Sequence, residues 1–406
     1  MSKVFSITSP KGFSAAFTAA EIKYKGRPDM AMIKSEVPAI YAATFTKNKV
    51  KAAPVLWDEL LLKEGTKISA VVINAGVANA ATGDDGFKDA EETATYTASK
   101  FSCDKKNVLV ASTGVIGMRL PLDKLKNGID AMTNSLSNDV EMGHLASKAI
   151  MTTDTVEKEA AASFEIAGKQ VTVAGMCKGS GMIHPNMGTM LSFITTDVNI
   201  DKTLLQKALS EIVEDTYNMI SVDGDTSTND SCIVLANAMA GNDLINKEDE
   251  NYEKFKKVLF EVNSSLAKQI AKDGEGATKL MEVDIIGAKT KLDAKKISKS
   301  VVTSSLTKAA IYGKDPNWGR IICAIGYAEA YFVESKVNIL FESEHGKIEL
   351  CHNGRETNFD EMKAKQIMDT DHIKIICELN CADENATAYG CDLTHKYVDI
   401  NASYRS

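Results

Sequence analysis

Proline is scarce, with seven residues in a chain of 406. No Pro-rich linker, low-complexity tract or repeat at a solenoid period is found either, so the sequence shows no domain boundary. Positive charge does not predominate: 47 Lys and Arg face 55 Asp and Glu, for a formal charge of -8. With no basic patch interleaved with aromatics, the composition excludes an ordinary nucleic-acid binder. Long apolar runs are missing too. Residues 70–81 are broken by Asn74 and Asn79 and are too short to span a bilayer. Residues 1–16 mix Lys3, Ser6, Ser9 and Lys11 with apolar side chains and hold no stretch of signal-peptide type. A cytoplasmic protein is expected.

The cysteines, at 103, 177, 232, 323, 351, 377, 381 and 391, are scattered rather than packed into a short framework, which predicts reduced thiols. Cys377 and Cys381 are four apart, but residues 373–379 read as a strand, so the pair does not share a helical face. No second pair follows at zinc-site spacing, and the six histidines are isolated. No metal is expected.

What is present is an ordinary globular composition, 44% hydrophobic and 25% charged, in a chain longer than one core usually supports. Two domains or two intimately packed halves are the expectation. β-Branched segments at 70–74, 108–111, 171–174, 191–196, 233–236, 283–286, 337–341 and 373–377 read as strands. Between them, Asp84 or Asp85 can cap a helix running to about Lys100, Pro121 suits the first turn of another, and Asp201 can cap one reaching Tyr217. Five lysines within residues 289–299 read as a solvated turn and helix start. Strands interspersed with helices predict an α/β (α+β) sandwich of mixed sheets flanked by helices.

The most informative segment is Lys178-Gly-Ser-Gly-Met-Ile-His-Pro-Asn-Met-Gly-Thr-Met190, an irregular stretch that feeds an apolar strand. A glycine-rich turn can cradle phosphate, yet no helix follows and neither Walker nor dinucleotide spacing is present. On Gly-X-Gly alone, a tight turn without chemistry is the better reading.

The whole string resembles the ornithine acetyltransferase family, whose members carry the same segment with alanine where Gly188 stands here. The resemblance continues in order through Asn74-Ala-Gly-Val-Ala-Asn-Ala80, Ser112-Thr-Gly-Val-Ile-Gly117, Met151-Thr-Thr-Asp-Thr155, Ser221-Val-Asp-Gly-Asp-Thr-Ser-Thr-Asn-Asp-Ser231, Gly274-Glu-Gly-Ala-Thr-Lys279 and Asp315-Pro-Asn-Trp-Gly-Arg320. The first block departs from the family's more common Asn-Ser-Gly opening.

The resemblance implies that the chain cuts its own backbone between Gly188 and Thr189, giving intertwined fragments 1–188 and 189–406. A threonine hydroxyl can attack the preceding carbonyl, and the resulting ester hydrolyses more readily than an amide. Gly188, lacking a β-carbon, leaves that carbonyl accessible. The freed α-amine of Thr189, with a reference pKa of about 8, then serves as base to its own hydroxyl. His184 is expected to play a structural part. By the same resemblance Thr113 and Gly114 form the oxyanion hole, and Thr152, Lys178, Thr189, Glu275, Asn401 and Ser406 bind substrate. Charge complementarity suggests that Lys178 holds a carboxylate and Glu275 an ammonium group or a migrating proton. Without the resemblance, the C-terminal tail would be read as frayed and silent.

The implied reaction is ping-pong: Thr189 takes acetyl from N2-acetylornithine, ornithine leaves, and glutamate accepts the acetyl group. No cofactor is consumed, although some similar proteins also take acetyl-CoA as donor. Family members assemble as tetramers of two processed protomers. Two rivals are an aminopeptidase or amidohydrolase with the same N-terminal nucleophile, in which water is the acceptor, and a non-enzymatic amino-acid-binding protein on the same scaffold. Blocks 221–231 and 315–320, rich in turn formers, are expected to shape structure and pocket walls rather than do chemistry.

Overall fold

The computed structural model describes residues 5–184 and 190–402. Among these the chain divides into two compact units, one holding 5–179, 190–218 and 225–270, the other 180–184, 219–224 and 271–402.

The first unit is built on a mixed sheet of eight strands. Its order is Val108–Val115, Ile68–Val77, Met30–Phe45, Ser231–Ala236, Leu191–Thr196, Lys169–Lys178 and Lys158–Ile166, with Phe13–Thr18 also paired to Met30–Phe45. Every residue of Ile68–Val77 is buried, which explains its nearly unbroken apolar run. It pairs in parallel with Val108–Val115, and the helix Gly83–Lys100 makes the crossover that a parallel pair requires. Helix Lys202–Asp215 buries Leu205, Ala208, Leu209, Ile212 and Val213 as one stripe. Asp201 caps it as expected, accepting from Thr203 N and Leu204 N.

The second unit carries a seven-stranded mixed sheet ordered Arg355–Glu356, Gly346–His352, Asn338–Ser343, His372–Glu378, Leu280–Ala288, Glu384–Cys391 and Ile220–Ser221. Helix Lys291–Thr303, begun by the Thr290 cap within the lysine-rich stretch, turns Ala294, Ile297, Val301 and Val302 into this core.

All eight expected strands are present, most of them longer than the β-branched cores that announced them. Several elements were not anticipated. Met30–Phe45, Phe13–Thr18, Lys158–Ile166, Gly346–His352 and Glu384–Cys391 lack a compact β-branched cluster, and the helix Glu250–Lys272 is capped by Asp249, which accepts from Asn251 N and Tyr252 N. The α/β character with mixed sheets flanked by helices is as predicted. Helix Gly83–Lys100 begins without a side-chain cap; Asp84 and Asp85 occupy its first turn, where their charges favour the helix N-terminus.

The sheet of the first unit has a consequence for a cut before Thr189. Leu191–Thr196, on the C-terminal side, lies antiparallel to Lys169–Lys178 and parallel to Ser231–Ala236, which pairs with Met30–Phe45. Strands from both sides of the expected cut therefore occupy central positions in one sheet.

Candidate active site

Lys178 is the last residue of its strand and stands opposite Leu191, the first of the next. Residues 179–190 join the two. Gly188 and Thr189 lie outside the described residues, as does Ser406. Met190, immediately after the expected nucleophile, is buried, and its carbonyl accepts a hydrogen bond from Ser231 N at 3.0 Å.

In the first unit, Thr113 and Gly114 lie near the end of Val108–Val115, half-buried between buried Ser112 and Val115. The ladder to Ile68–Val77 is irregular here: Gly76 pairs with Gly114, and Val77 with both Thr113 and Val115. Gly114 has φ +131°, and a β-carbon on it would lie 2.2 Å from the Gly76 carbonyl carbon. No other residue type fits this approach. The Lys178 ammonium donates to Thr113 Oγ at 3.3 Å. A hydroxyl that accepts from an ammonium keeps its own proton free to donate elsewhere, which suits a group meant to meet developing negative charge.

Beneath these residues is the Asp154 carboxylate. One oxygen accepts from the Lys158 ammonium and Gly179 N, both at 2.7 Å, and the other from Thr152 N at 3.0 Å. The side chains of Asp154 and Lys158 are both fully buried. Burial alone would raise the Asp154 carboxyl, but the Lys158 ammonium, helped by Lys178 and by hydrogen bonding, outweighs it and holds the group at about 2. One carboxylate thus ties the backbone at Thr152 to the backbone just after Lys178.

In the second unit, Asn401 Nδ2 donates to Glu275 Oε2 at 2.7 Å. Glu275 is buried, and its backbone N–H donates to Ser180 O at 2.9 Å. A β-carbon on Gly181 would lie 2.3 Å from that carboxyl group, so the second glycine of Lys-Gly-Ser-Gly makes room for Glu275. Asn401 is part of the helix His395–Ala402, so the tail is folded at least to that point.

Asp223 fastens residues 182 and 183 in the same unit. Its two oxygens accept from Met182 N at 2.6 Å and Ile183 N at 2.8 Å. Next to them, His184 Nδ1 is 3.1 Å from Ser221 Oγ. Burial first, and then the Lys299 ammonium, lower the His184 imidazole from an ordinary 6.5 to about 4. Such a weak base suits the structural part expected of it.

The folded chain keeps His184 neutral between pH 4 and 6.5, whereas an unfolded chain protonates it there, so stability is lost as pH falls through that window. Above it the contribution is constant. Thermal midpoints recorded from pH 7 to 4 should therefore fall less steeply for His184→Gln than for the parent chain; parallel curves would refute the assignment.

The structure thus joins Thr113, Gly114, Lys178 and, through Asp154, Thr152 within the first unit, and Glu275 with Asn401 within the second. Sequence reasoning missed Asp154, Lys158, Asp223 and Asn229. Three of the four lie inside quoted blocks, but most of their partners are backbone groups, which no side-chain spacing reveals; the Asp154–Lys158 pair, four residues apart, is the one signal the spacing did hold. Among the described residues no group of three or more His, Cys, Asp or Glu side chains is placed to hold a metal, and no helix is long and apolar enough to cross a membrane.

The ArgJ family model matches residues 14–406. The arginine biosynthesis bifunctional protein ArgJ 1 of Clostridium acetobutylicum is 54% identical over 400 residues, 98% of this chain and 97% of its own. The arginine biosynthesis bifunctional protein ArgJ of Thermotoga neapolitana is 48% identical, over 98% of this chain and 99% of its own. A crystal structure of arginine biosynthesis bifunctional protein argJ from Bacillus halodurans, 46% identical, matches with a TM-score of 0.51, covering 53% of this chain and 100% of that one.

Proposed function

The chain belongs to the ArgJ family, and from that premise we propose that it moves acetyl from N2-acetylornithine to L-glutamate through an acyl-enzyme on Thr189. It is an acetyltransferase of arginine biosynthesis with amino-acid substrates. The observation that carries this reading is the family match across residues 14–406. The placement of Thr113, Gly114 and Lys178 at strand ends, with the Lys178 ammonium on Thr113 Oγ, is compatible with the following mechanism.

Thr189 follows Gly188 at the cut and becomes an N-terminus. Its hydroxyl oxygen forms a bond to the acetyl carbon of acetylornithine while its α-amine takes the hydroxyl proton. The tetrahedral oxyanion is stabilised by Thr113 and Gly114. As the bond from acetyl carbon to ornithine nitrogen breaks, the proton passes from the α-amine to that nitrogen. Glutamate then reverses the sequence, with its amine attacking the acyl-threonine and the Thr189 hydroxyl restored. Lys178 holds a substrate carboxylate and Glu275 an ammonium group, while Thr152, Asn401 and Ser406 are further substrate-binding residues. No cofactor is consumed. The proposal includes acetyl-CoA as an alternative donor, because a thioester acylates a hydroxyl readily. Two copies of each fragment form the assembly, and the enzyme works in the cytoplasm.

The test is an exchange assay with acetylornithine and glutamate in the absence of acetyl-CoA. Equal amounts of ornithine and N-acetylglutamate are expected; acetate in place of acetylglutamate would identify an amidohydrolase instead. In the same assay Lys178→Met should raise KM for the amino acids far more than it slows self-cleavage, since loss of a charged contact made equally in ground and transition states appears in KM. Equal damage to both steps would remove Lys178 from the substrate site.

A further inference from the structure

We infer that Asn229 is a positioning residue of the oxyanion hole, clamping the strand that carries it, Val108–Val115, to Ala78 just beyond the neighbouring strand Ile68–Val77; this rests on the reading of Thr113 and Gly114 as the hole. Asn229 is 7% exposed. Its amide nitrogen donates to two carbonyls, Ala78 O, one residue past the strand Ile68–Val77, at 2.6 Å and Ser112 O, within Val108–Val115, at 2.7 Å. The Thr228 hydroxyl donates to Asn229 Oδ1 at 2.6 Å and fixes the plane of the amide.

The place of the clamp gives it meaning. The ladder between the two strands loses its regular register at Gly76 and Val77, opposite Thr113, Gly114 and Val115. Buried carbonyls at such a break need donors from elsewhere. Asn229 supplies one to Ser112 and one to Ala78, where the chain leaves Ile68–Val77. Ala78 N donates directly to Val115 O at 3.0 Å, while Ala78 O is joined through Asn229 to Ser112 O. The residues flanking Thr113 and Gly114 are therefore both tied to Ala78, one directly and one through the amide. A second tie runs from Ser112 Oγ to Asn74 Oδ1 at 2.7 Å, and from Asn74 Nδ2 to Val77 O at 2.9 Å.

An oxyanion hole works only if its donors are aimed before charge develops, within about 0.5 Å. The two half-buried residues that must be aimed are held at both ends by buried groups. The clamp also crosses the expected cut, because Asn229 belongs to fragment 189–406 and both carbonyls it grips belong to fragment 1–188. A pocket wall or a plain turn, the expectation for block 221–231, does not need an amide bridging Ala78 to Ser112 at that level.

The experiment compares Asn229→Ala, Thr228→Val and Thr113→Ala by steady-state acetylornithine–glutamate exchange, with rates expressed per processed chain as judged by intact mass. Asn229→Ala is expected to lower kcat by about 10- to 100-fold, below the loss of a whole oxyanion donor, with KM within about twofold. Combined with Thr113→Ala, it should cost less than the product of the single effects, because both act on one group.

Unchanged kcat in Asn229→Ala beside a large loss in Thr113→Ala would overturn the clamp and leave the hole standing. Unchanged kcat in Thr113→Ala would instead overturn the hole. A rise in KM at constant kcat would make Asn229 a substrate contact and end the inference. If Asn229→Ala fails to fold, Thr228→Val decides: a severalfold loss of kcat at constant KM supports the clamp, and a parent-like kcat refutes it.

Discussion

Thr189→Ala is expected to yield one uncut chain of 43.9 kDa with acetyl exchange reduced by about 10⁶-fold, the scale on which a covalent mechanism collapses without its nucleophile. The two losses share one origin. Cutting requires the threonine hydroxyl to attack the Gly188 carbonyl, and transfer requires the same oxygen to attack acetyl. Without the cut there is also no α-amine, so the base disappears with the nucleophile. Intact mass spectrometry separates the outcomes: 188 and 218 residues for the parent, which together make 406, and a single species for the variant. Thr189→Ser keeps both the hydroxyl and the amine and should still be cut and active. A Thr189→Ala protein that splits at the same bond would refute the mechanism at its root.

Asp154→Ala should be the most destabilising change in the first unit, by about 3–5 kcal/mol, as expected when a buried charge loses its partner. It removes the carboxylate paired with the fully buried Lys158 and the acceptor for two backbone N–H groups, those of Thr152 and Gly179. Lys158→Met should cost less, because Asp154 then keeps both backbone donors and the nearby Lys178 charge. Urea midpoints give the order directly, and a Lys158→Met protein weaker than Asp154→Ala would contradict it. The acid limb has a defined sign. Asp154 is held at about 2 against an ordinary 3.8, so its contribution is complete above 3.8 and disappears as pH falls through about 2. Since Asp154 also fixes the backbone beside Thr152 and Lys178, any Asp154→Ala protein that folds should bind amino acids poorly.

Much of the fold was legible because burial on both faces writes itself into composition. Ile68–Val77 and Leu191–Thr196 are buried throughout and were found from their β-branched cores. Met30–Phe45 was not, since it contains Lys34, Ser35, Glu36 and Pro38 and changes partner partway, pairing with Ile68–Val77 over its first part and Ser231–Ala236 over its last. Its apolar residues are interrupted where the strand passes between neighbours, and a local window cannot see that.

The site divides in the same way. The string from Lys178 to Met190 is determined locally, because self-cleavage needs a hydroxyl directly after an accessible carbonyl, and this is a property of adjacent residues. The sequence therefore sufficed for the family and the reaction, and it carries the expectation of a cut between Gly188 and Thr189. It also contained Asp154 and Asn229, but as ordinary turn formers. Only tertiary structure decided that one is a buried counter-charge between Thr152 and Gly179 and that the other bridges Ala78 to Ser112. Apart from Lys158 and the Thr228 hydroxyl, their partners are backbone amides and carbonyls, present at nearly every residue and so carrying no signature in the sequence. Which of them lack a ladder partner is known only once the strands have been laid side by side.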